Sequence, residues 1–432
     1  MDFFHDANRL LQTIETSTSP FQAIKESARQ LEQAGFSELY LGENWILELG
    51  KGYYINVYGS TLIGFRANND FLKNPSCRIA ASHTDWPCLR VKPSPEVVFG
   101  KYGKLNVEVY GGPILNTWFD RPLSLSGRVT LKGKATFQPI VKLVDFNRTL
   151  LTIPNLAIHM NREVNKGVEL NAQIDMLPII TMLTDDGNKN LFLMDMLAKE
   201  LDVPKEDIFD FELYIYNRDK GEIWGRNQEF ISAPRLDNLT SVQASVTGLL
   251  NSSRKNGLDV IALFDNEEIG SHTKQGADSA LLGNVLEKIH LSFGINRQGF
   301  LTSIFNSILL SMDVAHAIHP NKPEKSDITN QIYLNEGIAI KINSRQAYAT
   351  DSNAIGIIEG ICKNENIPYK KYANRSDIVG GGTLGSLASA GLAMKAVDVG
   401  VPILAMHSSK ETMGLKDQKA LVDLVQAFFS QD

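Results

Sequence analysis

Apolar positions change their period twice along this chain. Ser19-Pro20 opens a predicted helix over 21–34 that stops at Gly35. Serine acts there as cap, and proline takes the first helical position. Short β-like runs follow at 53–57 and 61–66. Arg78-Ile79-Ala80-Ala81-Ser82 then reads as a buried strand that delivers the chain to His83. From about 91 to 216 the runs 105–110, 123–131, 140–144 and 211–216 alternate or stay apolar between glycine and proline breaks. That texture is β-rich, with few helix signals apart from 190–201. Beyond Phe230, strands predicted at 260–264, 309–312, 339–342, 369–372 and 403–406 alternate with helices at 239–250, 277–289, 352–363 and 417–429. Such alternation predicts an α/β fold, its mixed, largely parallel sheet covered by helices. Residues 1–93 and 230–432 are the two parts of that domain, and 94–229 a β-rich insertion.

Composition narrows the class. With 432 residues, length alone suggests about two or three domains. The chain is 43% hydrophobic and 21% charged, enough apolar material for a core. Its 43 basic and 49 acidic residues leave a net charge of −6, so no global basic field attracts nucleic acid or anionic lipid. Cys77, Cys88 and Cys362 are too few and scattered for a disulfide framework and fit a reducing compartment. The start, Met1-Asp2-Phe3-Phe4-His5-Asp6, shows no secretory pattern, and no stretch approaches the roughly 20 apolar residues of a membrane span. The expected location is the cytoplasm, without nucleic-acid or membrane partners.

Candidate chemistry collects at predicted strand ends. His83-Thr84-Asp85 follows the 78–82 strand, Asp237 follows Ala233-Pro234-Arg235-Leu236, and Asp265-Asn266-Glu267-Glu268 follows 260–264. Asp313 follows 309–312, and His407 follows 403–406. Alone, an aspartate after a strand is a helix cap, a histidine an ordinary hydrogen-bonded group, and Glu267-Glu268 a solvated loop. Together they point to ligands in the crevice beyond the carboxyl ends of parallel strands. Converging like charges would be costly there without a cation between them. Two imidazoles and three carboxylates suit a two-zinc site with one carboxylate bridging. Glu267, beside the presumed ligand Glu268, is placed to shuttle a proton.

Four stretches carry a family resemblance: His83-Thr84-Asp85-Trp86-Pro87-Cys88-Leu89-Arg90-Val91-Lys92, Asp265-Asn266-Glu267-Glu268-Ile269-Gly270-Ser271, Met312-Asp313-Val314-Ala315-His316-Ala317-Ile318-His319-Pro320-Asn321 and Ala405-Met406-His407-Ser408. In that order, over nearly the whole chain, they resemble the aspartyl aminopeptidase family of dinuclear zinc exopeptidases. The resemblance implies that His83 and Asp313 hold one zinc, Glu268 and His407 the other, and that Asp237 bridges them. Asp85 would orient His83, and Glu267 would serve as general base and then general acid. Cobalt or manganese could substitute for zinc. His316, His319 and Lys341 become substrate-side residues, Lys341 supplying a cation for an acidic side chain. His159, in the insertion, would reach a neighbouring subunit's site, with direct metal contact as the alternative. The implied fold is zinc-exopeptidase-like. The insertion would drive dimerisation, and the dimers would build a closed dodecamer that admits peptides.

Two positions depart from the family pattern. Trp86 stands where a small residue is more usual, and Ser386 ends Gly381-Gly382-Thr383-Leu384-Gly385-Ser386 where many relatives have proline. Both touch expected pocket walls, so they bear on side-chain preference more than on chemistry. Gly380 to Gly382 lacks the Lys-Ser/Thr of a phosphate loop. The expected activity is removal of one N-terminal residue from peptides, favouring Asp and Glu. The alternatives are an aminopeptidase of broad or neutral specificity, a related amidase, deacylase or glycosidase, and an inactive assembly scaffold. A scaffold would need none of the five presumed ligands.

Overall fold

The computed structural model describes residues 3–183 and 192–431. The chain forms two compact units. Met1–Asp85, Gly221–Met406 and Glu411–Asp432 make the first, and Trp86–Lys220 with His407–Lys410 make the second.

The first unit is organised by the strand Leu258–Phe264, buried at every position. A strand with both faces buried needs a nearly unbroken apolar run, and only Asp259 interrupts this one. Its carboxylate is met by Arg254 Nε at 2.5 Å and Asn68 Nδ2 at 2.9 Å, both inside the protein. The strand lies between Thr61–Ala67, antiparallel to it, and Cys77–His83, parallel to it. Ile308–Met312 and Lys395–Gly400 continue the parallel run. Ile338–Ile342 and Tyr369–Ala373 close that edge, while Gly52–Val57 and Ser37–Glu38 close the other. The result is a nine-stranded mixed sheet.

Alternate residues of its strands point to opposite faces. Ile79, Ala81, Val260, Ala262 and Phe264 join one core with Leu282, Val285, Leu286 and Ile289 of the helix Leu281–Ser292. Ile261, of the opposite parity, and Leu31 of the helix Pro20–Gln33 both close on Gly64. The helices Leu236–Leu250 and Leu415–Phe428 meet at Gly248, where an added Cβ would stand 2.4 Å from a Val425 methyl.

A five-stranded sheet in the same unit runs Glu222–Trp224, Phe230–Ala233, Glu411–Gly414, Pro402–Leu404, Ala315–His316. This corrects one expectation. The strand read at 403–406 is Pro402–Leu404, and it pairs here, outside the large sheet. Lys395–Gly400, a central strand, was not expected, because Asp398 breaks its apolar run. Asp398 is buried and satisfied by Thr383 Oγ1 at 2.7 Å and the Ala349 amide at 2.5 Å.

The second unit is built on an antiparallel six-stranded sheet, ordered Gln138–Asp145, Leu123–Ala135, Ile208–Asn217, Cys88–Phe99, Tyr102–Tyr110, Ile179–Met182. The helix read at 190–201 is Phe192–Leu201; its first two expected positions lie outside the described residues. Among the described residues no helix is long and apolar enough to cross a membrane.

Candidate active site

Three adjacent parallel strands, Leu258–Phe264, Cys77–His83 and Ile308–Met312, end side by side. His83 closes the second, Asp265 to Glu268 follow the first, and Asp313 follows the third. Asp237 comes from the start of the helix Leu236–Leu250, where its backbone is not yet helical. Glu411 Oε2 accepts the Asp237 amide at 3.0 Å, and Asn238 Nδ2 donates to Met312 O at 2.9 Å. The first bond ties the Asp237 turn to the strand Glu411–Gly414, and the second ties it to the segment that carries Asp313. Neither Glu411 nor Asn238 shows a local sequence signal, because their partners lie far along the chain.

His83 is the hub. Its Nε2 lies 3.4 Å from Asp237 Oδ1 and 3.5 Å from Asp313 Oδ1. Its Nδ1 lies 3.0 Å from the Asp85 carbonyl and 3.5 Å from the Asp85 carboxylate. That carboxylate also accepts the amides of Glu267 and Glu268, each at 3.1 Å. Asp85 therefore fixes both the imidazole and the turn bearing the two glutamates. The turn is shaped by Asn266 at φ 65° and Gly270 at φ 98°, both left-handed.

The acids outnumber the cations. Withdrawal from water pushes Glu267 up to about 8; His83 opposes this, while Asp313, Asp85 and Asp237 add to it. Burial and Asp237 likewise hold Glu268 well above its ordinary value. Burial alone would also raise Asp313, but Lys341 and His83 outweigh it and hold this carboxyl below the usual range. His83 is raised well above an ordinary imidazole: burial opposes the shift, and Asp237, Asp313 and Asp85 overcome it.

His83, Asp237 and Asp313 place one donor atom each within 4.8 Å of one another, and so do His83, Glu267 and Glu268. Donors around a tetrahedral ion at roughly 2.0–2.2 Å stand roughly 3.3–3.6 Å apart. The 3.4 and 3.5 Å separations about His83 fit that spacing. Nitrogen and carboxylate oxygen are zinc donors, and a divalent cation would relieve the crowding that raises the glutamates. The residues present fit zinc.

Lys341 is buried, its Nζ 2.9 Å from Val314 O and 3.4 Å from Asp313 Oδ2. His316 and His319 are exposed and line a cavity of about 470 Å³ with Lys322, Lys325 and Arg375. Those three cations were missed because Lys322 and Lys325 share one turn while Arg375 comes from a distant loop, with no shared motif. Gly380 and Gly381 line the same cavity. Ser386 is half-buried on the helix Leu384–Leu392. In the second unit, His407 Nδ1 lies 3.0 Å from Gly112 O, Trp86 is buried, and His159 stands on an exposed turn.

Comparison with known proteins gives three kinds of match. The profile of a peptidase family described as "Aminopeptidase I zinc metalloprotease (M18)" matches residues 13–429. A Clostridium novyi (strain NT) protein named "Probable M18 family aminopeptidase 2" is 45% identical over 425 residues, covering 98% of each chain. A chain in a cryo-electron microscopy structure of the Ape4 and Nbr1 complex is 32% identical, with TM-score 0.94, over 99% of this chain and 86% of that one. The S. cerevisiae mApe1 dodecamer is 26% identical, with TM-score 0.85, over 98% of this chain and 96% of its own.

Proposed function

The chain belongs to the M18 family of aminopeptidase I zinc metalloproteases, and from that premise we propose a dinuclear zinc aminopeptidase that favours acidic N-terminal residues. That it is a zinc aminopeptidase, a peptide hydrolase, follows from the family. What supports the two-metal reading is the number of carboxylates gathered at His83, with Asp237 and Asp313 in one donor group and Glu268 in another, more than a single ion needs. In this reading His83 and Asp313 hold one zinc, Glu268 and His407 the other, and Asp237 serves both. The chemistry supplied with zinc bound is Lewis-acid polarisation of the scissile carbonyl and a nucleophile available at neutral pH.

The chain's own groups do the rest. Asp85 fixes the His83 ring and the turn of the two glutamates. Glu267 accepts the proton of the attacking water and passes it to the departing amine. The preference for acidic residues is supported by the cavity beside His316, where Lys322, Lys325 and Arg375 outnumber Asp327. A broad or neutral specificity is the second reading, favoured by the pairing of Arg375 with Asp377 at 2.6 Å.

The second unit supplies the dimer contact in this proposal. The likeness to a dodecameric relative supports a dodecamer of such dimers in the cytoplasm. His159 then serves a neighbouring subunit's site, or else contacts metal. Zinc content measured on active protein, with a panel of Asp-, Glu-, Leu-, Ala- and Lys-amides, tests the whole reading. Two zinc ions per chain and faster turnover of Asp and Glu are expected. One ion per chain ends the dinuclear part, and equal turnover of Leu and Asp ends the acidic preference.

A further inference from the structure

Asp398 is fully buried in the strand Lys395–Gly400, between the strand that leads to Asp313 and the strand that bears Lys341. Removing a carboxylate from water is costly unless hydrogen bonds replace the water. Here both oxygens are met, and by two different loops. Oδ2 accepts the Ala349 amide at 2.5 Å, and Oδ1 accepts the Thr383 hydroxyl at 2.7 Å. Thr383 caps the helix Leu384–Leu392, so the charge lies at the positive end of that helix. Gly385 permits the approach, because an added Cβ there would stand 2.7 Å from Asp398 Oδ1. The Asp398 amide donates to Thr350 Oγ1 at 2.9 Å, which fixes the first loop a second time.

Both loops lead to one wall. Asn374, Gly380 and Gly381 line the cavity beside His316. From Asn374 to Thr383 the chain is neither helix nor strand, so its shape depends on where its ends are tied. At the far end Thr383 is held by Asp398, and its amide donates to Ala347 O at 3.2 Å. At the near end Asn374 Nδ2 donates to the Tyr348 hydroxyl at 3.1 Å. Tyr348 directly precedes Ala349, which Asp398 also holds. The wall is thus tied at two points, and both ties hang on one carboxylate. Asp398 itself does not line the cavity.

We infer that Asp398 is a positioning residue for substrate binding, which holds residues 374–381 in place as a wall of the cavity beside His316 by fixing the Ala349 and Thr383 loops together. The inference rests on the reading that this cavity receives the substrate's acidic side chain. A wall fixed in advance binds better than one that must be ordered as the ligand arrives. The role is therefore in affinity, and the metal and the proton transfer at Glu267 are outside it.

The test uses the full zinc-loaded chain and compares Asp398→Ala, which cuts both ties, with Asp398→Asn. Asparagine keeps an acceptor for the Ala349 amide and gains a donor for the Thr383 oxygen. Asp398→Ala is expected to raise KM for the Asp-amide roughly tenfold, because the wall must then be ordered on binding. Its kcat and zinc content should stay near those of the parent, and Asp398→Asn should recover most of the affinity. Hydrogen exchange read by mass spectrometry should quicken at 374–383 in the alanine variant and stay slow in the strand Leu258–Phe264. A lower melting temperature with KM unchanged would make Asp398 an ordinary core anchor and overturn the inference. An equal rise in KM for Asp398→Asn would trace the effect to lost charge instead of lost ties, and would overturn it too. The underlying reading is tested apart, by Lys322→Ala combined with Lys325→Ala. If that variant leaves KM for the Asp-amide unchanged, the cavity does not receive the side chain, and the inference falls with the reading. If it raises KM while Asp398→Ala does not, the inference alone fails. Should Asp398→Ala not fold, Thr383→Val, which cuts one tie and leaves the carboxylate in place, is read by the same criteria.

Discussion

A single carboxylate, Asp85, touches both halves of the chemistry. It sits behind His83 and accepts the amides of Glu267 and Glu268. An asparagine there keeps one acceptor oxygen and loses the charge that favours an imidazole ligand. Asp85→Asn is therefore expected to weaken zinc binding roughly 10–100-fold, measured by chelator competition. An unchanged affinity would show that the imidazole needs no such support. Glu267→Gln should instead leave zinc bound and cut kcat at least about 10²-fold, the lower range for lost acid–base catalysis. Wild-type kcat in that variant would assign the proton transfer elsewhere. At this scale the sequence was most informative for residues that end strands. His83, Glu267, Glu268 and Asp313 stand beyond three neighbouring strand ends. What it could not show was pairing across distance. Nothing near Lys341 announces Asp313, 28 positions away, or the Tyr348 ring beneath the ammonium.

Elements were legible where their burial was uniform. The expected strands at 260–264 and 309–312 are Leu258–Phe264 and Ile308–Met312. The helix expected at 352–363 is Ser352–Glu365. Legibility failed where a buried acid was the organising group. Asp398 hid the strand Lys395–Gly400, and Asp259 shortened the reading of Leu258–Phe264. The partner of Asp259 gives a stability prediction. Arg254→Met leaves a buried carboxylate without its cation and is expected to cost about 3–5 kcal/mol, read from urea unfolding. A loss under about 1 kcal/mol would mean the pair behaves as a surface bridge. Asp417, in the first turn of Leu415–Phe428, accepts the amides of Asn335 and Gly337 at 2.7 and 2.8 Å. Burial pushes its carboxyl up to about 7 against those bonds. The folded state thus keeps a proton that the unfolded chain has already released above about pH 4. Its contribution to stability should fall as pH rises from about 4 to about 7 and then level off. Asp417→Asn cannot ionise, so the gap between variant and parent should change across that window. Urea midpoints at pH 4.5 and 7.5 that differ equally for both proteins would contradict this.

The whole molecule should be inert without metal. Exhaustive chelation is expected to abolish hydrolysis, and zinc to restore it, because in the proposed reaction zinc supplies both the polarisation of the scissile carbonyl and the nucleophile. Full activity in metal-free protein would refute that. Light scattering should show a large assembly, and a fully active monomer at nanomolar concentration would remove the proposed dimer contact. The order of strands in the large sheet also constrains how the protein is made. Thr61–Ala67 and Cys77–His83 leave the ribosome close together, yet the strand that belongs between them is Leu258–Phe264. Roughly 190 residues separate Ala67 from Leu258, and synthesis at about 5–20 residues per second takes about 10–40 seconds to cover them. For that interval two apolar strands wait with an open slot, a template for wrong pairing. The nascent chain needs shielding there. It also cannot cut anything, since the glutamates and Asp313 arrive only after the slot is filled. A peptidase wired in this order is harmless to its neighbours on the polysome until most of it has been translated.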